Sequence, residues 1–160
     1  MAKKQHWLMK SEPEAYSIDD LARDGTEPWN GIRNYQARNF LRDTLREGDL
    51  ALFYHSNAKP PGVVGVMRVV SGPEPDALAF DRDSLYYDPK SNPEDPTWFQ
   101  RRMGFVAKFP RMVPLEALKS DPELEEMLVV RRGQRLSIQP VEPEHFKRVC
   151  VLGGLKSLPR

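Results

Sequence analysis

The chain has 160 residues, 39% hydrophobic and 29% charged, the balance of a globular protein long enough to bury a core without disulfides or metal staples. Its 24 Lys and Arg against 23 Asp and Glu leave a net charge of +1, which argues against gripping duplex DNA by bulk electrostatics but leaves room for a local nucleic-acid site. The single cysteine, Cys150, cannot form an internal disulfide and predicts a reducing compartment. No stretch has signal-peptide or membrane-spanning length, so the expectation is a cytoplasmic monomer with no membrane anchor.

In chain order, His6 to Lys10 reads as a first strand running into a Ser11-Glu-Pro13 turn. Ser17-Ile-Asp-Asp20 has capping-box spacing and Gly25 follows as a stop, which predicts a short helix between them. From Tyr35, Ala37, Phe40, Leu41 and Leu45 fall at helical spacing, with Asn34 placed to cap and Gly48 to terminate. Arg38, Arg42 and Arg46 share the opposite side of that helix. They read either as a track for phosphates or as a solvated face, since Asp43 and Glu47 interrupt the field.

Asp49 to His55 is a strongly apolar strand. The Lys59-Pro-Pro-Gly62 loop joins it to a second strand, Val63 to Val70, as a hairpin. Gly62 and Gly65 predict a close approach to the backbone there. Gly72 to Pro96, rich in Pro, Asp, Asn and Ser, is expected to be a long surface excursion tacked down by Tyr86 and Tyr87.

Trp98 to Phe109 alternates as a long half-buried strand, with Phe99, Met103, Phe105, Ala107 and Phe109 on one face and Gln100, Arg102 and Lys108 on the other. Pro114 opens a helical turn, and Asp121-Pro122 predicts a helix carrying Leu124, Met127 and Leu128. Arg131 to Arg135 is a basic, Gly-containing turn before a strand at Leu136 to Gln139. Glu142-Pro143 starts a last helix with Phe146, Val149 and Cys150 inward, stopped at Gly153-Gly154, so the thiol is expected to be buried and inert. Strands joined partly by hairpins and interspersed with helices predict one domain over residues 1–160, mixed α/β, with a barrel-like sheet and helices around it.

The three His, His6, His55 and His145, show no metal-ligand spacing with each other or with Cys150. The chain has neither a nucleophile elbow nor a phosphate-cradling or dinucleotide Gly loop. His55 and Ser56 are adjacent and, on a strand, point to opposite faces, a poor base and nucleophile pair. Neither catalysis nor a cofactor is expected.

Binding capacity is concentrated at Pro28 to Asn39, where Trp29, Tyr35, amides and two Arg crowd the start of a helix. Amides read hydrogen-bonding edges, aromatics stack on flat rings and Arg meets phosphates. If the sheet brings its strand ends together, Ser11, His55, Ser56, Asn57, Ser137 and Gln139 join Trp29, Trp98, Asn30 and Asn34 around one concave site. Such a site suits a flat heteroaromatic ring read at its edge.

Four stretches are specific enough to name a family. Lys10-Ser-Glu-Pro13, Trp29-Asn-Gly-Ile-Arg-Asn-Tyr-Gln-Ala-Arg-Asn39, Phe53-Tyr-His-Ser-Asn57 and Arg135-Leu-Ser-Ile-Gln-Pro140 closely resemble, in order and over nearly the whole chain, the EVE domain family. That resemblance implies a PUA-like pseudo-barrel sheet flanked by helices and non-catalytic recognition of a modified base, modified cytosine in DNA first. The order of parts is also similar to that of the related YTH domains, which hold methylated adenine of RNA in an aromatic cage. By that likeness Trp29 is a cage wall, Ser11 and Asn30 meet the base edge, and Ser56 and Asn57 lie on the rim.

The resulting expectation is a DNA or RNA reader that inserts a modified base between Trp29 and Trp98, with Arg33, Arg38 and Arg42 on flanking phosphates. Removing the Trp29 indole is expected to abolish binding and leave the fold intact. The alternatives are a small-molecule or nucleotide sensor using the same pocket, and an enzyme of nucleotide or RNA metabolism with His55 as general base. The chain lacks the basic N-terminal tail of eukaryotic relatives, which predicts a stand-alone prokaryotic domain.

Overall fold

In the computed structural model, residues 4–160 are described. Strands β1 (His6–Ser11), β2 (Thr26–Trp29), β3 (Leu50–His55), β4 (Gly62–Val69), β5 (Glu74–Pro75), β6 (Phe99–Pro114) and β7 (Ile138–Val141) form one sheet. Its order is β2-β6-β4-β3-β1-β7, with β5 added to β6. β1 and β3 run parallel, and every other pair is antiparallel.

Period-two alternation sorts the central strands onto two apolar layers. Trp7, Met9, Ala51 and Phe53 face one side with Ile18, Leu21, Leu41 and Leu45. Leu8, Leu50, Leu52 and Tyr54 face the other with Leu118, Phe146, Val149 and Cys150. Helices α1 (Ile18–Asp24) and α2 (Tyr35–Asn39) cover the first side, and α3 (Leu115–Ser120) and α4 (Pro143–Leu152) the second. The Ser17 capping box is formed and Gly25 ends α1 at φ +80°. Burial of the Cys150 thiol pushes its pKa up to about 12, so it behaves as a small core hydrophobe.

Tertiary contacts override several local expectations. The helix begun at Asn34 does not run on to Gly48. After Asn39 it widens into a π turn over Phe40–Thr44, closed by Leu45 N–H donating to Phe40 O at 2.8 Å. Buried Arg101, only 3% exposed, fixes that turn by donating to the Leu41 and Leu45 carbonyls, each at 2.6 Å. Widening breaks the four-residue repeat that would have aligned Arg38, Arg42 and Arg46.

In β6 the expected single apolar face is split. Met103 and Phe105 pack in the first layer and Phe109 in the second, because the β4–β6 register shifts between Val63 and Gly65 and again between Val66 and Met67. Gln100, expected on the solvent side, is buried and donates to Glu74 of β5 at 3.1 Å. The helix expected from Pro122 is two 3₁₀ turns, Pro122–Leu124 and Leu128–Val130, and the strand expected at 136–139 is β7, two residues later.

The close approach expected at Gly62 and Gly65 is that of β6 itself. A Cβ at either position would lie 2.4 Å from the Val113 or Ala107 carbonyl oxygen. Among the described residues no helix is long and apolar enough to cross a membrane.

Candidate functional site

Because β1 and β3 are parallel, their C-terminal ends lie side by side, with Ser11 opposite His55 and Ser56 N–H donating to Ser11 O at 3.0 Å. β7 runs the other way, so the turn entering it reaches the same edge, where Lys10 N–H donates to Ser137 O at 2.9 Å. The end of β2 closes the fourth side with Trp29, Asn30 and Gly31. The result is a cleft of about 830 Å³, whose lining includes Ser11, Trp29, Asn30, Ser56, Asn57 and Ser137, within the size range of small-molecule sites.

Trp29 is 7% exposed. One part of its indole meets Phe53 edge-on at 5.4 Å between centroids, while the residue also lines the cleft. Tyr86, 45% exposed, also lines the cleft, and its ring lies over Gly31, whose Cα carries no side chain to obstruct it: an added Cβ would come within 3.1 Å. Asp76 fixes the loop after Trp29, accepting from Gly31 N–H at 2.7 Å and from the Arg33 guanidinium at 3.0 Å. The cleft therefore has Trp29 and Tyr86 on a braced frame, with Tyr16 a third aromatic residue in its lining.

The polar lining divides into engaged and open groups. The Ser11 hydroxyl donates to Tyr16 O at 2.6 Å and keeps its lone pairs. Asn57, in the left-handed region at φ 52°, donates to Glu12 Oε1 at 2.8 Å across the rim. Among the described residues, the side chains of Asn30, Ser56 and Ser137 make no intramolecular hydrogen bond, so they are available to a guest. Lys10 also lines the cleft, and burial lowers its pKa.

Other expected site residues lie elsewhere. Asn34 caps α2, accepting from Ala37 N–H at 3.0 Å. Gln139 is 1% exposed and donates to Leu136 O at 2.8 Å. Trp98 stacks on Tyr35 at 5.0 Å and donates its indole N–H to Asp88 at 2.8 Å, outside the cleft. His55 Nε2 accepts from Ile18 N–H at 3.2 Å while its ring meets Phe53 edge-on, and burial lowers its pKa. Asn34 and Gln139 are claimed by local backbone, a competition that spacing alone does not reveal, and Trp98 and His55 by partners from other segments.

The three expected phosphate ligands are also engaged. Arg33 donates to Asp76 and to Tyr86 O, Arg38 to Thr97 O at 2.7 Å and to Asn39, and Arg42 to Asp43. Conversely, Tyr86, Glu27, Gln134 and Arg135 line the cleft without having been singled out as ligands. The signal for Tyr86 was an aromatic pair in an otherwise polar excursion, and for Arg135 a basic turn beside a strand.

The chain and its fold are similar to those of known proteins. The family model described as EVE domain matches residues 5–152. Human thymocyte nuclear protein 1 is 42% identical over 166 aligned residues, covering 92% of this chain and 73% of that protein. A crystal structure of human THYN1 in complex with 5-methylcytosine-containing DNA superposes with a TM-score of 0.87 at 40% identity, covering 96% of this chain and 100% of that one. A Pseudomonas syringae protein gives a TM-score of 0.88 at 44% identity, covering 92% and 99%. The YTH domain of a Zygosaccharomyces rouxii protein, solved with N6-methyladenosine RNA, has a TM-score of 0.55 at 13% identity over 96% and 88%, a likeness of fold alone. The mixed sheet flanked by helices is thus the expected PUA-like arrangement.

Proposed function

The chain belongs to the EVE domain family, and from that premise we propose that it is a nucleic-acid binder that captures a modified base without chemically altering it, modified cytosine in DNA being the first candidate. The observation carrying this reading is the composition of the cleft. Trp29 and Tyr86 supply flat apolar surface, and Asn30, Ser56 and Ser137 supply uncommitted hydrogen-bonding groups in the same space. A modified base asks for both. The relative solved with 5-methylcytosine-containing DNA supports the choice of ligand class.

A base paired within a duplex must leave the stack to enter such a cleft, at a cost of a few kcal/mol. Stacking returns about 1–3 kcal/mol per base, so capture also needs backbone contacts. A methyl or hydroxymethyl group alone discriminates by about 1–3 kcal/mol. The preference for modified over unmodified sequence is therefore expected to be modest, roughly ten- to one-hundred-fold.

Binding measured by fluorescence anisotropy against an array of deoxy- and ribo-oligonucleotides, modified and unmodified, tests this reading. Preference for one modified base supports it. Equal affinity for every oligonucleotide sinks it, and equal affinity for the free nucleoside and the oligonucleotide favours a metabolite sensor. For the enzyme alternative, His55 would have to release Ile18 N–H before acting as a base, which makes a binding role the simpler reading of this geometry.

A further inference from the structure

We infer that the exposed turn at residues 131–135, through Arg132 and Arg135, is the surface that holds the phosphodiester backbone beside the captured base. This rests on the reading of the cleft as a base receptor, and it moves the backbone contact away from Arg33, Arg38 and Arg42.

Commitment of charge carries the inference. Arg33, Arg38 and Arg42 already donate to carboxylate or carbonyl oxygens within the chain. Each would have to exchange an existing partner for a phosphate, and the gain would be small. Arg131 is likewise engaged, with Glu126 at 2.7 Å. Arg132 and Arg135 differ. Both are exposed, and among the described residues neither donates a hydrogen bond nor joins an ion pair. With a net charge of only +1, uncommitted guanidinium groups are where a polyanion gains most.

Position agrees with chemistry. Gly133, at φ +82°, reverses the chain between the two arginines, a conformation other residues adopt with difficulty. Gln134 and Arg135 then line the cleft itself. Immediately afterwards Lys10 N–H pins Ser137 O at 2.9 Å, so the turn projects from a fixed point on the sheet edge. Three residues span at most about 10 Å, a reach suited to neighbouring phosphates of one strand. The cleft carboxylates, Glu12 and Glu27, form no ion pair with either arginine, and Glu12 is held by Asn57.

The test is the salt dependence of binding for the parent, Arg132→Ala, Arg135→Ala and the control Arg38→Ala/Arg42→Ala. A 5-methylcytosine oligonucleotide and its unmodified counterpart are titrated from about 50 to 300 mM KCl. Each turn substitution is expected to make the slope of log K against log salt shallower by about 0.7 for single strands or 0.9 for duplex. Each should also weaken both oligonucleotides by the same factor, while the control keeps the parental slope. Because both side chains lack partners among the described residues, the variants should retain the parental melting temperature. A preference for the modified base that persists with an unchanged slope in both turn variants overturns the assignment of the turn alone. A parent that binds both oligonucleotides equally overturns the reading of the cleft instead.

Discussion

The Asp76 carboxylate accepts the Gly31 amide N–H at 2.7 Å, bonding the surface excursion to the loop that follows the cleft tryptophan. The same fully buried carboxylate accepts from Arg33 at 3.0 Å and from Leu78 N–H at 2.9 Å. One side chain thus sets both the path of residues 30–33 and the placement of the segment that delivers Tyr86. Asp76→Ala leaves the half-buried Gly31 and Leu78 amides unpaired and Arg33 without its counter-charge. The expected cost is about 2–4 kcal/mol of stability, read by urea denaturation, together with weakened capture of a modified oligonucleotide. Unchanged stability would show that the loop is held by other contacts.

Tyr86 offers a cleaner probe of the cleft. Its ring is half exposed, and the bond from Arg33 goes to its backbone carbonyl, which survives truncation. Tyr86→Ala should therefore leave the melting transition within about 0.5 kcal/mol of the parent. Binding to the modified oligonucleotide should fall by about 1–3 kcal/mol, the value of one aromatic stacking contact. Calorimetric titration of parent and variant with the same oligonucleotide decides it, and equal affinity removes Tyr86 from the cleft wall.

Trp29 cannot be read so simply. The expectation that its truncation spares the fold does not accommodate its packing on Phe53 at 5.4 Å within the first apolar layer. Trp29→Ala should cost about 3–5 kcal/mol through the cavity it leaves. Trp29→Phe keeps an aromatic ring against Phe53 and sheds the indole's further reach. This variant should remain folded at room temperature by circular dichroism while binding several-fold more weakly than the parent. Full binding by Trp29→Phe would mean that the indole serves the core alone.

What was legible in the chain was local. Short apolar runs marked β1 and β3, capping chemistry marked α1 and the start of α2, and the motifs around Ser11, Trp29 and Ser56 supplied residues that the sheet does bring together. Long-range partners were hidden. Nothing near Arg101 shows that it secures a π turn built 60 residues earlier, or that Trp98 faces Tyr35 and Asp88 rather than the cleft. Register shifts in the β4–β6 pair moved Phe109 across the sheet, a change no period-two count reports. The free or engaged state of an arginine likewise depends on neighbours that only the fold supplies.

His55 links this architecture to pH. Its Nε2 accepts Ile18 N–H at the start of α1, at 3.2 Å, which requires a neutral ring. Burial lowers its pKa, against a smaller opposing pull from Asp19. Unfolded, the same imidazole takes up its proton near about 6.5. The folded state therefore binds fewer protons just below that pH, and the His55 contribution to stability is complete above it and lost as pH falls through the lower folded value. His6, whose buried Nδ1 has no partner among the described residues and whose pKa burial also lowers, acts in the same direction. Carboxylates such as Asp24 and Asp121 are held below the ordinary carboxylate range by Arg23 and Arg148, so they act outside this window. Urea midpoints should consequently fall between about pH 7 and pH 5. His55→Gln, which has an amide oxygen to accept from Ile18 and no titrating group, should flatten that decline and leave the part owed to His6. A decline in His55→Gln as steep as the parent's would place the pH sensitivity elsewhere.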